Sequence, residues 1–136
     1  MFYLPYDSYD ECEFSELIGK TVVKLVLDDE RDAYDNHITF YCSDSTVYDL
    51  WHDQDCCEKV GIEEIVGDSS VLLSAPITMA EMVSNNNHDA EYWGEDECST
   101  TWTFYKLATI HGYVTIRWLG ESNGCYSEEV TFSKRK

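Results

Sequence analysis

The eight residues Trp51-His52-Asp53-Gln54-Asp55-Cys56-Cys57-Glu58 concentrate more reactive chemistry than any other stretch of this chain. From His52 onward they supply an imidazole, an amide, two thiols and the carboxylates of Asp53, Asp55 and Glu58. His52 and Cys56 stand four residues apart, a separation that one helical turn closes and that zinc knuckles also use. His52, Cys56 and Cys57 are therefore candidate zinc ligands. No C-x-x-C occurs, so further ligands would have to come from Cys42, Cys98, Cys125, His37, His88 or His111. Buried structural cysteines beside a hydrogen-bonded His52 are the stronger expectation, and no cofactor is required. A bond between Cys56 and Cys57 is not expected, because adjacent cysteines close a strained ring.

Thiol catalysis is disfavoured by electrostatics. Asp49, Asp53, Asp55, Glu58, Glu63, Glu64 and Asp68 surround a single Lys59, and a negative field raises a thiol's pKa and suppresses the nucleophilic thiolate. Close carboxylate pairs such as Asp53 with Asp55 carry little weight in a chain with 27 acids. There is no P-loop, G-x-G-x-x-G, G-x-S-x-G or H-E-x-x-H, so no catalytic residue is assigned. A second polar cluster lies further on. Ser122, Asn123 and Tyr126, with Arg117 upstream, offer donors suited to a phosphate or carboxylate. Together with His52 and Gln54 they form an alternative small-ligand site, for example for a nucleotide signal. A tight turn held by its own side chains is the stronger expectation for the Ser122–Tyr126 cluster.

Charge bounds the partners. Nine Lys and Arg against 27 Asp and Glu leave a net charge of −18, which repels nucleic acid and anionic membranes and attracts a basic protein surface. Two acidic stretches carry aromatic residues suited to such contacts. One is the opening segment, with Asp7, Asp10, Glu11 and Glu13; the other is residues 84–100, with Glu91, Tyr92, Trp93, Glu95, Asp96 and Glu97.

The elements that must position these groups are mostly strands. A hydrophobic content of 43% in 136 residues supports one globular domain. Residues 1–16 form an acidic-aromatic arm, and 17–136 form a single β-rich domain with an acidic insertion loop at 84–100. Ser15–Lys20 reads as a short helical turn stopped by Gly19. Thr21–Leu27 is apolar on both faces, hence a covered strand. His37–Cys42 alternates, and with Thr46–Trp51 the three strands make a meander. Cys56–Lys59 reads as one helical turn and Val60–Val66 as a strand. Thr78–Val83 reads as a short helix capped near Thr78. Thr101–Ile110 and Tyr113–Leu119 form a hairpin around His111-Gly112, and Glu129–Ser133 is a last strand. The fold class is α+β and β-dominated, with antiparallel meander and hairpin sheets and one or two short helices.

These residues also carry a resemblance. The run from Trp51 to Glu58, then Ile62–Asp68, Ala75-Pro76-Ile77, Thr101–Tyr105, Gly112–Trp118 and Gly120–Gly124 resemble small phage and prophage proteins. That family is a domain of unknown function with an H-x-Q-D-C-C-E signature. The resemblance spans roughly residues 15–132. It departs at Cys125, where an aromatic is expected, and in the longer acidic loop and the opening arm. It implies a phage-borne protein acting in a bacterial host's cytoplasm, and it supplies no catalytic residue. The opening MFYLPYDSYDECEF shows no basic or apolar leader, so reduced thiols are expected. With the charge, this suggests a protein that occupies a basic groove of a host nucleic-acid-handling or defence protein, such as a restriction or CRISPR effector.

Overall fold

A computed structural model describes residues 2–28, 36–88, 99–124 and 126–136. Nine antiparallel strands form two sheets among these residues. The first sheet takes the order β1 (Tyr9–Glu11), β9 (Thr131–Arg135), β4 (Val47–Trp51), β3 (His37–Cys42), β2 (Val22–Asp28). The second takes the order β5 (Lys59–Val66), β8 (Gly112–Ser122), β7 (Ser99–Thr109), β6 (Met79–His88). Strand alternation explains how they pack. Ile38, Phe40, Tyr48, Leu50 and Phe132 of the first sheet share one buried cluster with Ile62, Tyr105, Leu107, Ile116 and Trp118 of the second. Phe14 bridges them, edge-on to both Tyr105 and Phe132.

The β2-β3-β4 meander and the β7-β8 hairpin follow the sequence reading, and several local expectations do not. Thr78–Val83 is not a helix: Met79–His88 is strand β6, in unbroken register with β7 from Met79↔Ala108 to His88↔Ser99. Pairing along ten residues outweighs the modest helical propensity of Met, Ala and Glu. The segment 84–100 is correspondingly shorter as a loop, because Ser84–His88 and Ser99-Thr100 are strand. Glu91, Tyr92, Trp93, Glu95, Asp96 and Glu97 lie outside the described residues. The hairpin turn is Ile110-His111, one residue earlier than expected, since Thr109 pairs with Gly112. β2 is an edge strand with Val23 55% exposed, so its run of apolar residues does not mean two covered faces. Cys56-Cys57 bends without forming a helical turn. Helical residues are confined, among those described, to 3-10 turns at Tyr6–Ser8, Phe14–Leu17 and Ser69–Leu72, and no helix is long and apolar enough to cross a membrane.

The outer face of the first sheet is unusual in being polar yet buried. Thr39, Asp49 and Ser133 align across β3, β4 and β9 and are nearly inaccessible. Asp49 accepts hydrogen bonds from Thr39 Oγ1 at 2.7 Å and from Arg135 Nε and Nη2 at 2.7 and 2.9 Å. Trp51 Nε1 donates to Ser133 Oγ at 3.0 Å. The opening segment roofs this face: Phe2 stacks on His37 and meets Trp51 edge-on, as does Tyr9. Of the aromatic residues interleaved with acids at the start of the chain, Phe2, Tyr9 and Phe14 are therefore packing groups, whereas Tyr3 and Tyr6 are exposed, as are the acids between them. Removing the cation opposite a buried carboxylate leaves it uncompensated. Arg135→Met should lower the free energy of unfolding by about 3 kcal/mol, read from the urea midpoint; an unchanged midpoint would show that Asp49 does not depend on this partner.

Candidate functional site

Residues 52–58 carry the chain from β4 in one sheet to β5 in the other. Glu58 organises the crossing. Its carboxylate is fully buried and accepts from the backbone N–H of Asp55 at 3.1 Å and of Cys56 at 2.9 Å. Gln54 Nε2 donates to Glu58 Oε1 at 2.9 Å and to its carbonyl at 2.8 Å, and His52 Nε2 meets Oε2 at 3.0 Å. The other ring nitrogen, His52 Nδ1, lies 2.6 Å from the Glu129 carbonyl. The imidazole thus lies between two oxygen atoms, one from the Glu58 carboxylate and one from the Glu129 carbonyl.

The imidazole, the Glu58 carboxylate and the Gln54 amide nitrogen are engaged by the stretch itself or by Glu129, while Gln54 Oε1 is buried without a hydrogen-bond partner among the described residues. Cys56 and Cys57 are exposed and bonded to each other, where the sequence reading expected separate, buried thiols. The turn that aims the Asp55 and Cys56 amides at Glu58 leaves the two cysteine side chains outside. Among the described residues, no group of three or more His, Cys, Asp or Glu side chains is placed to hold a metal ion; the zinc candidates His52, Cys56 and Cys57 do not form one. Burial disfavours the charged form of Glu58, but the amide donors of Asp55 and Cys56, together with His52, outweigh it and hold the carboxyl below its ordinary range.

The outer side of the turn lines a cleft of about 350 Å³, walled by Glu11, His52, Asp53, Gln54, Asp55, Glu58, Ser127, Glu129 and Thr131. Glu11, Asp53, Asp55 and Glu129 are exposed there, and among the described residues no Lys or Arg lines it. The local field is visible at Tyr9, whose phenol is pushed up by burial and then by the carboxylates of Asp53 and Glu11. Glu11, a residue of the acidic contact set, therefore shares a cleft with His52 and Gln54 of the ligand set. Asp7, Asp10 and Glu13 are exposed on the same opening segment; Glu13 lines an adjoining cavity with Glu11 and Glu129.

The remaining ligand candidates lie elsewhere. Arg117 is on the outer face of the second sheet, donating to Glu64 Oε2 at 2.9 Å and lying over the Trp102 ring. Ser122 donates to Glu128 and accepts from the Gly124 N–H, while Asn123 is exposed in the following turn. Tyr126 lines a larger cavity of about 500 Å³, together with Gly124 and residues 127–130. The structure does not gather these six residues around one ligand. Sequence reasoning missed Glu58 and Glu129 as site residues, and also the buried Glu128. A carboxylate ending a run of turn-forming residues was the available signal for Glu58.

Loss of the Glu58 charge should loosen the turn. Glu58→Gln would set an amide NH₂ against two amide donors and cost about 2 kcal/mol at neutral pH. Because the folded carboxyl is held below its unfolded value, its contribution is present above about pH 4.5 and fades as pH falls further. The stability gap between wild type and Glu58→Gln should therefore narrow under acid, as measured by urea unfolding at a series of pH values. A gap that stays constant to the acid limit would contradict the assignment.

No curated protein and no solved structure matches this chain. Over residues 15–132 it does match one family, covering both crossings between the sheets and all of the second sheet. The chain belongs to the family described as "Domain of unknown function (DUF7448)".

Proposed function

We propose that this protein is a binding protein whose exposed carboxylates engage a basic surface on another protein. The supporting observation is the acidic cleft beside the 52–58 turn, where Glu11, Asp53, Asp55 and Glu129 stand in the open without a lining cation among the described residues. The rigid turn behind them holds those charges in fixed positions, and rigid charge placement favours a complementary partner over diffuse counterions. The chain's overall charge of −18 adds long-range steering that salt weakens. The resemblance to phage and prophage proteins makes the expected partner a nucleic-acid-handling or defence protein of a bacterial host, met in its cytoplasm and occupied at the groove that otherwise takes phosphate. This is a non-catalytic role, and it uses His52, Gln54 and Glu58 as the frame of the cleft.

The test is capture of basic proteins from a bacterial lysate by the immobilised chain. At low salt a partner should be retained, and at roughly 0.5 M salt it should be released, where the screening length falls to a few ångströms. The triple variant Glu11→Gln, Asp53→Asn, Asp55→Asn should bind the same partner at least about tenfold more weakly. A partner retained equally by the triple variant, or retained regardless of salt, would overturn this reading.

A further inference from the structure

The inward face of the second sheet changes character halfway along. Near the first sheet, β6 and β7 turn Ala80 and Leu107 into the core. Beyond Tyr105, alternation continues but the inward residues become Thr103, Thr101 and Ser99 on β7, and Ser84 and Asn86 opposite them on β6. Thr103, Thr101 and Ser99 are each less than one-tenth exposed. Polar side chains at positions patterned for a core are costly to fold and are kept where they serve a site. Gly124 and residues 126–130 line the opposite side, leaving a cavity of about 500 Å³.

Two observations define what the cavity would take. First, its charge is one-signed among the described residues: Glu128 and Glu129 line it, and no described Lys, Arg or His side chain does. Glu128 is buried, held by Thr101 Oγ1 at 2.7 Å and by Ser122, and Asn86 in turn donates to Thr101 at 2.9 Å. These neutral donors fix the carboxylate in place, and among the described residues no cation pairs with it. Second, Tyr105 lines this cavity and the adjoining one, is 2% exposed, and makes no side-chain hydrogen bond among the described residues. A phenol that lines two cavities and has no described hydrogen-bond partner is a donor and acceptor available to a ligand. Burial and the Glu129 carboxylate push that phenol up, so it stays neutral.

We propose that this cavity binds a small organic cation bearing primary ammonium groups, of the aliphatic polyamine class. An ammonium carries three donors, matching the Tyr105, Thr103 and Ser84 hydroxyls, while its charge answers Glu128 and Glu129 in a partly desolvated space. Anions such as nucleotides would be repelled by the same two carboxylates. A neutral sugar would satisfy the hydroxyls but leave the charge unanswered. This site shares Glu129 and Ser127 with the protein-binding cleft proposed above, but Tyr105, Thr103 and Glu128 belong to it and not to the cleft, and it goes beyond that reading.

Titration of the full-length chain with spermidine, followed by calorimetry, tests the proposal. Saturable binding to one site is expected, weakened about tenfold by Tyr105→Phe and by Thr103→Val. Both variants leave the net charge unchanged, so diffuse attraction to an acidic surface would not respond to them. Glu81→Gln, which alters an exposed residue of β6 outside the cavity, should bind as wild type does. The triple variant of the cleft should also bind spermidine, so this result and the partner test can fail independently. Folding of each variant is checked by its thermal melt. Affinity unchanged in both Tyr105→Phe and Thr103→Val would overturn the proposal, as would binding of glucose in place of spermidine.

Discussion

A single buried carboxylate fixes how the two sheets are joined. Glu58 gathers the amides of Asp55 and Cys56, the Gln54 side chain and the His52 ring, and through His52 it reaches the Glu129 carbonyl. Residues 52–58 lead from the first sheet to the second, and residues 123–130 lead back. The Glu58–His52–Glu129 chain therefore clamps the outgoing and returning crossings to each other. Such networks stabilise when every member is satisfied and are costly when one is lost. That accounts for the density of polar groups between Trp51 and Glu58 without invoking catalysis.

The clamp has a consequence for the surface. With the inward-facing groups of the turn committed to Glu58, the side chains left pointing outward are Asp53 and Asp55, joined by Glu11 from β1 and Glu129 from the returning segment. Three segments distant in sequence thus present four like charges together. Like charges held close are destabilising in isolation, and they are tolerated here because each is solvated. A partner that desolvates them must supply the opposite charge.

Close approach at one glycine shapes the other cavity. Gly120 faces inward on β8, and a Cβ there would lie 2.7 Å from Glu128 Cβ and 3.1 Å from its carbonyl oxygen. Only the absence of a side chain lets the returning segment settle against the second sheet and bring Glu128 within reach of Thr101 and Ser122. The same segment then supplies Glu129 to both cavities. One strip of chain thus links the clamp, the acidic cleft and the hydroxyl-lined wall.

Period-two alternation and turn residues made the β-dominated class, the meander and the β7-β8 hairpin legible, because strands report their pairing through local pattern. Composition alone fixed the −18 charge. Local pattern failed where pairing overruled propensity, as in β6, and where an apolar run lay at a sheet edge, as in β2. It could not separate the roles within Trp51–Glu58 either. Whether a carboxylate is a buried acceptor like Glu58 or an exposed charge like Asp55 depends on which donors the crossing brings near it. The sequence by itself determined the kinds of groups available and their sign. Tertiary structure alone decided which were spent holding the sheets together and which were left facing outward, since hydrogen-bond partners such as Glu129 and His52 are 77 residues apart along the chain.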